Sequence, residues 1–134
     1  MQAQIIKIAD SSVQIKTDFG TFCGNWMSGV PIINATYLVE INSIPVTDIN
    51  QIQLSTKMKP FIYDFGSYTL INGFVEEIED NIMFLRLSYN LMMIEICCDL
   101  SPARFQERWV NVKVHRFDIY GELIHNTGDG LREP

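Results

Sequence analysis

The chain has 134 residues, of which 47% are hydrophobic and 19% are charged, and its formal net charge at pH 7 is −6. This composition is typical of a folded globular protein and excludes a disordered chain. Residues 1–67 hold four Lys and five acidic residues, whereas residues 68–134 hold six Lys or Arg and eleven acidic residues, so the halves carry −1 and −5. This acidity disfavours a nucleic-acid partner, because that binding depends on Lys and Arg around phosphates.

The cysteines and the N-terminal residues indicate a compartment. Cys23, Cys97 and Cys98 make an odd number of cysteines, which implies no disulfide framework. The N-terminal residues lack the basic segment and apolar run of a secretory signal, and no stretch approaches about 18 apolar residues. We therefore predict a cytoplasmic protein with reduced thiols and no membrane partner.

Residues 1–57 are predicted to form a first β-barrel unit. Apolar and polar residues alternate on both sides of a polar turn at Asp10, which predicts a hairpin with one solvent-facing side. Similar alternation, broken by Gly and Pro, continues to the end of this unit. The five strands are predicted near residues 6–8, 13–16, 20–27, 36–41 and 49–54.

Residues 58–67 are predicted to be a linker that packs between two units. This segment contains Phe61, Tyr63 and Phe65, and so it is too aromatic to be a free tether.

Residues 68–125 are predicted to form a second β-barrel unit, and residues 126–134 a flexible tail. Ser101 can cap a helix and Pro102 can occupy its first position, which predicts one short helix near residues 101–108. The strands of this unit are predicted near residues 68–78, 82–88, 91–98, 109–117 and 119–125.

A short internal repeat connects the two units. The segment Ile8-Ala9-Asp10-Ser11-Ser12-Val13-Gln14-Ile15-Lys16 is echoed by Ile78-Glu79-Asp80-Asn81-Ile82-Met83-Phe84-Leu85-Arg86. A repeat of this kind indicates one β unit present twice. We therefore predict an all-β fold in which two tandem, five-stranded small barrels pack together.

The second unit is similar to an OB-fold. The likeness rests on the glycine-containing first strand Tyr68–Ile78, the hairpin strand Ile82–Leu87, and the strand Trp109–Val114 after the predicted helix. OB-folds are five-stranded Greek-key barrels, and many bind single-stranded nucleic acid or oligosaccharide across their second and third strands. A pair of SH3-like barrels would produce almost the same pattern, so both architectures stay open at this point.

The motifs of common catalytic and cofactor sites are absent from the sequence. No cysteine is spaced to meet His115 or His125 as a nucleophile would meet its base. Metal-ligand spacings and phosphate-binding glycine loops are missing too. We therefore predict no catalytic residues, no metal and no cofactor.

The densest charge is the acidic run Glu76, Glu77, Glu79 and Asp80, at the end of one predicted strand and in the following turn. Such a run either solvates a hairpin tip or meets a basic partner. We favour a protein-binding function for these four residues. The resulting hypothesis is a non-enzymatic binding protein, such as an acidic inhibitor or immunity-type protein that neutralises a basic enzyme.

Two alternatives remain. If Phe22 and Trp26 face outward beside Lys7 and Lys16, the first unit offers a stacking platform for single-stranded nucleic acid. The second alternative is a structural subunit of a homo-oligomer. Residues 82–98 leave almost no polar face, so both sides of this hairpin need cover. Arg86 and Glu95 are predicted to neutralise each other within it.

Overall fold

Eleven strands account for most of the structure, which confirms the all-β prediction. The computed structural model of the protein describes residues 1–44, 47–97 and 102–126. Besides the strands, the structure has a single 3₁₀ turn (Ile49–Gln51) and one helix, α1 (Pro102–Phe105), among the described residues. The strands are β1 (Gln2–Ala9), β2 (Ser12–Thr17), β3 (Gly20–Trp26), β4 (Ala35–Ile44), β5 (Ile52–Leu54), β6 (Phe61–Asp64), β7 (Thr69–Glu79), β8 (Ile82–Leu87), β9 (Asn90–Glu95), β10 (Trp109–Val114) and β11 (Arg116–Asn126).

The first body is a closed five-stranded barrel with the order β1-β2-β3-β11-β4. Its strands β4-β1-β2-β3 lie in Greek-key order, since the fourth strand returns to lie beside the first. β11 runs antiparallel to β4 and parallel to β3, and so it closes the barrel. The rings of Phe22 and Phe117, whose centroids are 5.0 Å apart, pack in its core.

The second body is a six-stranded sheet packed against the barrel. Its strand order is β5-β10-β7-β8-β9, and β6 also pairs with β7. The strands β10-β7-β8-β9 repeat the Greek-key order of the barrel. Among the described residues this body is an open sheet, and a parallel bridge joins Thr47 to Ile96 beside β9.

The two halves of the chain exchange their last strands, which corrects two predicted placements. β5, predicted for the first unit, pairs with β10 of the second sheet. β11, predicted for the second unit, lies in the first barrel between β3 and β4. Alternating apolar residues identify which face of a strand is buried, but they do not identify its neighbour. The sequence pattern therefore located both strands and misplaced both pairings.

The aromatic linker contains β6, which contacts both bodies. β6 pairs with β7, and the Ile62 N–H donates to the Phe19 carbonyl in the turn between β2 and β3. Gly20, at φ 148°, makes this approach possible, because a Cβ there would overlap the Ile62 carbonyl oxygen.

The predicted helix is present but shorter than expected. α1 spans Pro102–Phe105, one turn of the residues 101–108 for which the helix was predicted. Ser101, Cys98 and most of the predicted tail lie outside the described residues. Within the described parts of the chain, no helix has the length and apolar character needed to cross a membrane.

The internal repeat is also a repeat of local geometry. Ser12–Thr17 and Ile82–Leu87 are separated by 70 positions, and each follows a turn whose aspartate adopts a left-handed backbone, Asp10 at φ 57° and Asp80 at φ 55°. Aspartate tolerates this conformation better than most residues do. A β-bulge also occurs at equivalent places, between residues 5 and 7 and between residues 75 and 77.

Candidate interaction surface

The inward faces of β1–β3 and β7–β9 are apolar and form the core. In β3, Phe22, Gly24 and Trp26 face inward. The same holds for Tyr37, Val39 and Ile41 of β4. The residues between them in β3 and β4 are exposed or half-buried, as expected for the opposite face of a strand. Also fully or almost fully buried are Ile5, Val13 and Ile15 in the barrel and Val75, Met83, Leu85, Met92 and Ile94 in the second sheet.

The outward face of β7–β9 is a surface of nine side chains in three cross-strand rows, which we name the β7–β9 outer face. It mixes five apolar residues with three carboxylates and one arginine. Leu91 and Met93 are 46% and 51% exposed, although apolar strand residues normally face the core. The rows are Phe74–Arg86–Leu91, Glu77–Phe84–Met93 and Glu79–Ile82–Glu95.

The bulge in β7 brings the acidic run onto this outer face. Glu76 and Glu77 are both exposed, and Glu77 lies opposite Phe84. Glu76 reaches Arg86 on the same side, with carboxylate oxygens 2.7 and 2.8 Å from the guanidinium nitrogens Nε and Nη2. Consecutive strand residues ordinarily point to opposite faces, and a bulge removes that alternation. Three carboxylates of the predicted site, including Glu79, are thus gathered on one surface.

The predicted pairing of Arg86 with Glu95 is wrong. Arg86 lies opposite Leu91, whereas Glu95 lies two rows away opposite Ile82. Arg86 instead forms a bidentate ion pair with Glu76. The hydrogen bond from Arg86 lowers the pKa of the Glu76 carboxyl, and the same bond raises the pKa of the guanidinium. Glu77, Glu79 and Glu95 are therefore the carboxylates of this face that have no such ion pair within the described residues.

The equivalent face of the barrel is polar. Moving back 70 positions from each of the nine residues gives the β1–β3 outer face, which pairs in the same registers. Its nine positions hold no aromatic and no large aliphatic residue, whereas the bulge residue Ile6, equivalent to Glu76, is 37% exposed beside them. Its two lysines give these nine positions a formal charge of +2, against −2 for the nine of the β7–β9 outer face. Its rows are Gln4–Lys16–Thr21, Lys7–Gln14–Cys23 and Ala9–Ser12–Asn25.

The stacking platform predicted for the first unit is not formed. Phe22 is 0% exposed and Trp26 is 6% exposed, because both point into the barrel. Trp26 packs edge-on against Tyr37 with ring centroids 4.7 Å apart. Lys7 and Lys16 are exposed, but no aromatic face accompanies them on the β1–β3 outer face. A base cannot stack on rings that are enclosed in the core.

An exposed aromatic cluster lies elsewhere, on β6 and the turn that follows it. The ring centroids of Tyr63 and Phe65 are 4.6 Å apart, and those of Phe65 and Tyr68 are 5.0 Å apart. The ammonium of Lys113 lies 4.4 Å from the Tyr68 ring centroid. Tyr63 and Phe65 are both more than half exposed. The sequence reveals the aromatic residues of the linker, but the cation–π contact of Tyr68 with Lys113 depends on the pairing of β7 with β10.

The groups that could perform nucleophilic or metal chemistry stay apart. Burial raises the pKa of the Cys23 thiol, and the Asp64 carboxylate raises it further against a weaker opposing effect of Lys7. A raised pKa leaves little thiolate, which is the nucleophilic form. His115 is exposed, and its Nε2 lies 2.8 Å from the Gln51 side-chain nitrogen. In the described residues, no three His, Cys, Asp or Glu side chains converge as metal ligands.

A cleft of about 530 Å³ lies where the β9 side of the second sheet meets the barrel. Its floor is the outer face of β4 and β11, including Leu38, Glu40 and Tyr120. Its wall is Asn90–Met93 of β9. These four consecutive residues of β9 face residues 38–42 of β4 across the cleft.

Comparison with known proteins gives no further identification. No protein-family model, curated protein or solved structure matches this chain.

Proposed function

We propose that this protein is a non-catalytic binding protein that captures a basic protein partner, in the manner of an acidic inhibitor or immunity-type protein. The β7–β9 outer face is the proposed binding surface. The proposal keeps Glu76, Glu77, Glu79 and Asp80 as its acidic residues. It adds the apolar residues that share the sheet with them.

The contrast between the two outer faces is the observation that carries this proposal. Both sets of three strands have the same registers, the same left-handed aspartate turn and the same bulge, and the barrel forms with a polar outer face. The fold therefore does not require apolar side chains at Phe84, Leu91 and Met93. Apolar residues framed by charged ones are typical of surfaces that bind other proteins.

The charges of this surface favour a basic partner. Glu77, Glu79 and Glu95 surround the apolar residues, and the ion pair with Glu76 compensates the charge of Arg86. Complementary charge accelerates encounter with the correct partner and penalises like-charged ones. The net charge of −6 acts in the same direction over a longer range.

We also propose that the barrel is OB-like and not SH3-like. A closed five-stranded barrel containing a Greek key is the architecture of the OB-fold, and the short helix between β9 and β10 agrees with the pattern in the second half. Family architecture does not by itself assign a function. The binding proposal therefore rests on the surface and not on this likeness.

Capture of partners on immobilised protein tests the function. The wild type, exposed to nuclease-treated lysate of the source organism, is expected to retain one stoichiometric basic protein. The double variant Glu77→Gln, Glu79→Gln is expected to bind that protein at least about tenfold more weakly, since close charge pairs across interfaces couple by about 1.5 kcal/mol or more.

A charge-matched control separates local contacts from net charge. Asp10→Asn with Asp18→Asn removes the same two charges from exposed positions of the barrel, and asparagine tolerates the left-handed backbone of Asp10. We expect it to bind the captured protein like the wild type. Equal weakening by both double variants would contradict a binding site on the β7–β9 outer face.

A second candidate function is single-stranded nucleic-acid binding at the exposed aromatic cluster. Tyr63 and Phe65 present tilted rings to solvent, Phe65 stacks on the half-buried Tyr68, and Lys113 supplies a positive charge beside them. Bases stack on such rings with little sequence preference. If this candidate is correct, Tyr63→Ala with Phe65→Ala abolishes binding of a fluorescent oligothymidylate and the wild-type affinity falls steeply with salt. If the wild type does not bind the oligothymidylate at low salt, this second candidate function is wrong.

A further inference from the structure

We propose that the cleft between β9 and the barrel receives an extended segment of the partner, which adds as a strand to the free edge of β9 and carries Lys or Arg side chains between apolar ones. This inference rests on the proposed function and specifies the kind of segment that is bound. Three features of the cleft support it: an unpaired strand edge, a suitable volume and two carboxylate side chains.

Backbone hydrogen bonds identify the free edge. The Ile96 N–H donates to the Asn81 carbonyl across the β8–β9 ladder. Because bonded pairs alternate in an antiparallel ladder, Ile94, Met92 and Asn90 also bond to β8.

Leu91, Met93 and Glu95 consequently direct their N–H and C=O groups away from β8. The Glu95 carbonyl confirms this direction, since it accepts from the Thr47 N–H on the far side. Within the described residues, no strand pairs with Leu91 or Met93 on that side.

The cleft adjoins this edge along Asn90–Met93. Its volume of about 530 Å³ lies within the range of pockets that enclose small ligands. Asn90–Met93 span roughly 13 Å at about 3.3 Å per residue. Main-chain hydrogen bonds to an exposed edge are a common way to bind an extended peptide.

Charge selects the occupant. Of the described residues that line the cleft, two have charged side chains, and both are carboxylates, Glu40 and Glu122. They lie among Leu38, Leu91 and Tyr120, so a segment with alternating basic and apolar residues is complementary. A second copy of this chain is a poor occupant, because its β9 (Asn90–Glu95) has no Lys or Arg to face Glu40 and Glu122.

A hexapeptide of alternating lysine and valine is the probe that tests this assignment. Two isomers of it are compared, one N-methylated at the three lysines and the other at the three valines. Both keep the charge and the side chains, but each loses the amide donors of one edge. We expect one isomer to bind at least tenfold more weakly than the unmethylated peptide while the other keeps its affinity. Equal affinities of the two isomers, or no binding of the unmethylated peptide, would overturn the inference.

Variants of the protein give an independent readout. Met93→Pro removes an N–H that points away from β8, so no bond to β8 is lost. Edge strands accept proline at positions of this kind. This variant is expected to abolish peptide binding and to retain a cooperative thermal transition. Glu40→Gln with Glu122→Gln is expected to weaken binding at least tenfold, whereas the charge-matched Asp10→Asn, Asp18→Asn leaves it unchanged. Equal effects of the two double variants would show attraction by net charge alone and overturn the proposal.

Amide hydrogen exchange reports directly on the edge. In the free protein the Leu91 and Met93 amides are expected to exchange at least tenfold faster than those of Met92 and Ile94. The unmethylated peptide is expected to slow the first pair. Protection of Leu91 and Met93 without peptide, accompanied by concentration-dependent dimerisation that Met93→Pro removes, would assign the edge to a second copy instead.

These measurements separate failure of the inference from failure of the proposed function. Capture that depends on Glu77 and Glu79 but is indifferent to Glu40→Gln with Glu122→Gln leaves the function standing and removes the strand-addition mode. If the peptide binds at the β9 edge but capture does not depend on Glu77 and Glu79, the inference stands and the proposed binding surface is wrong.

Discussion

The strands β1–β3 of the barrel and β7–β9 of the second sheet pair in the same registers, yet they present different chemistry to solvent. Their inner faces are both apolar, with Ile15 and Leu85 fully buried at equivalent positions. Their outer faces differ at almost every position: where the barrel has Gln14 opposite Cys23, the second sheet has Phe84 opposite Met93. The fold therefore constrains one side of each sheet, and the other side is available for binding. One half of the molecule serves as a control for the other.

The largest expected effect comes from separating the two halves. Fragments 1–57 and 58–134 each lack a strand that the other supplies, because β5 and β11 are exchanged. We expect neither fragment alone to show a cooperative thermal transition by circular dichroism, and an equimolar mixture to recover it. Loss of the entire free energy of unfolding, about 5–15 kcal/mol, is the expected size. A cooperative transition in fragment 1–57 alone would mean that the barrel closes without β11.

Truncation in the two cores is the next largest effect. Ile15→Ala and Leu85→Ala each remove a fully buried side chain at equivalent positions. Each is expected to lower the free energy of unfolding by about 2–5 kcal/mol in urea titrations, through lost burial and the cavity left behind. Lys16→Ala, next to Ile15 on the solvent side, is expected to change it by about 0.5 kcal/mol or less. Two separate transitions in either core variant would contradict a single cooperative unit.

Exchange of outer-face residues has a smaller effect on stability and a larger one on binding. Phe84→Gln gives the second sheet the residue found at the equivalent Gln14, and its free energy of unfolding is expected to change by about 1 kcal/mol or less. Binding of the captured partner is expected to weaken at least about tenfold, since aromatic side chains dominate interfaces. Gln14→Phe is the matched control and is expected to leave binding unchanged. Full affinity of Phe84→Gln would place the contact elsewhere.

The sequence predicted the alternation of buried and exposed residues well, but it did not predict how the elements are connected. The inward positions of β3, β4 and β10 follow from period-two alternation, which is a local property. The exchange of β5 and β11 depends on contacts between distant strands, which alternation does not encode. The bulges at Ile6 and Glu76 were missed because one extra residue leaves little trace in a short strand. That miss mattered, since the Glu76 bulge places the acidic run on one face.

The smallest effect concerns the ion pair at the second of these bulges, which the first lacks. Glu76 and Arg86 correspond to Ile6 and Lys16, so the barrel has a basic residue and no carboxylate there. The hydrogen bond from Arg86 lowers the pKa of Glu76 in the folded protein below its ordinary value of 4.5. The unfolded state therefore binds the proton more readily, and the pair stabilises the fold fully above about pH 5. This contribution is lost as the pH falls through the lowered pKa.

Urea titrations of the wild type and Glu76→Gln at several pH values test this sign. The variant is expected to be slightly less stable at pH 7, and the difference is expected to shrink towards pH 3 and in 1 M salt, because an exposed pair is screened. Glu77→Gln, which removes a neighbouring carboxylate without such an ion pair in the described residues, is the control at pH 7 and is expected to change the free energy of unfolding by about 0.5 kcal/mol or less. A difference that grows on acidification would mean that protonated Glu76 stabilises the bulge. The two hairpins would then differ in backbone strain and not only in surface charge.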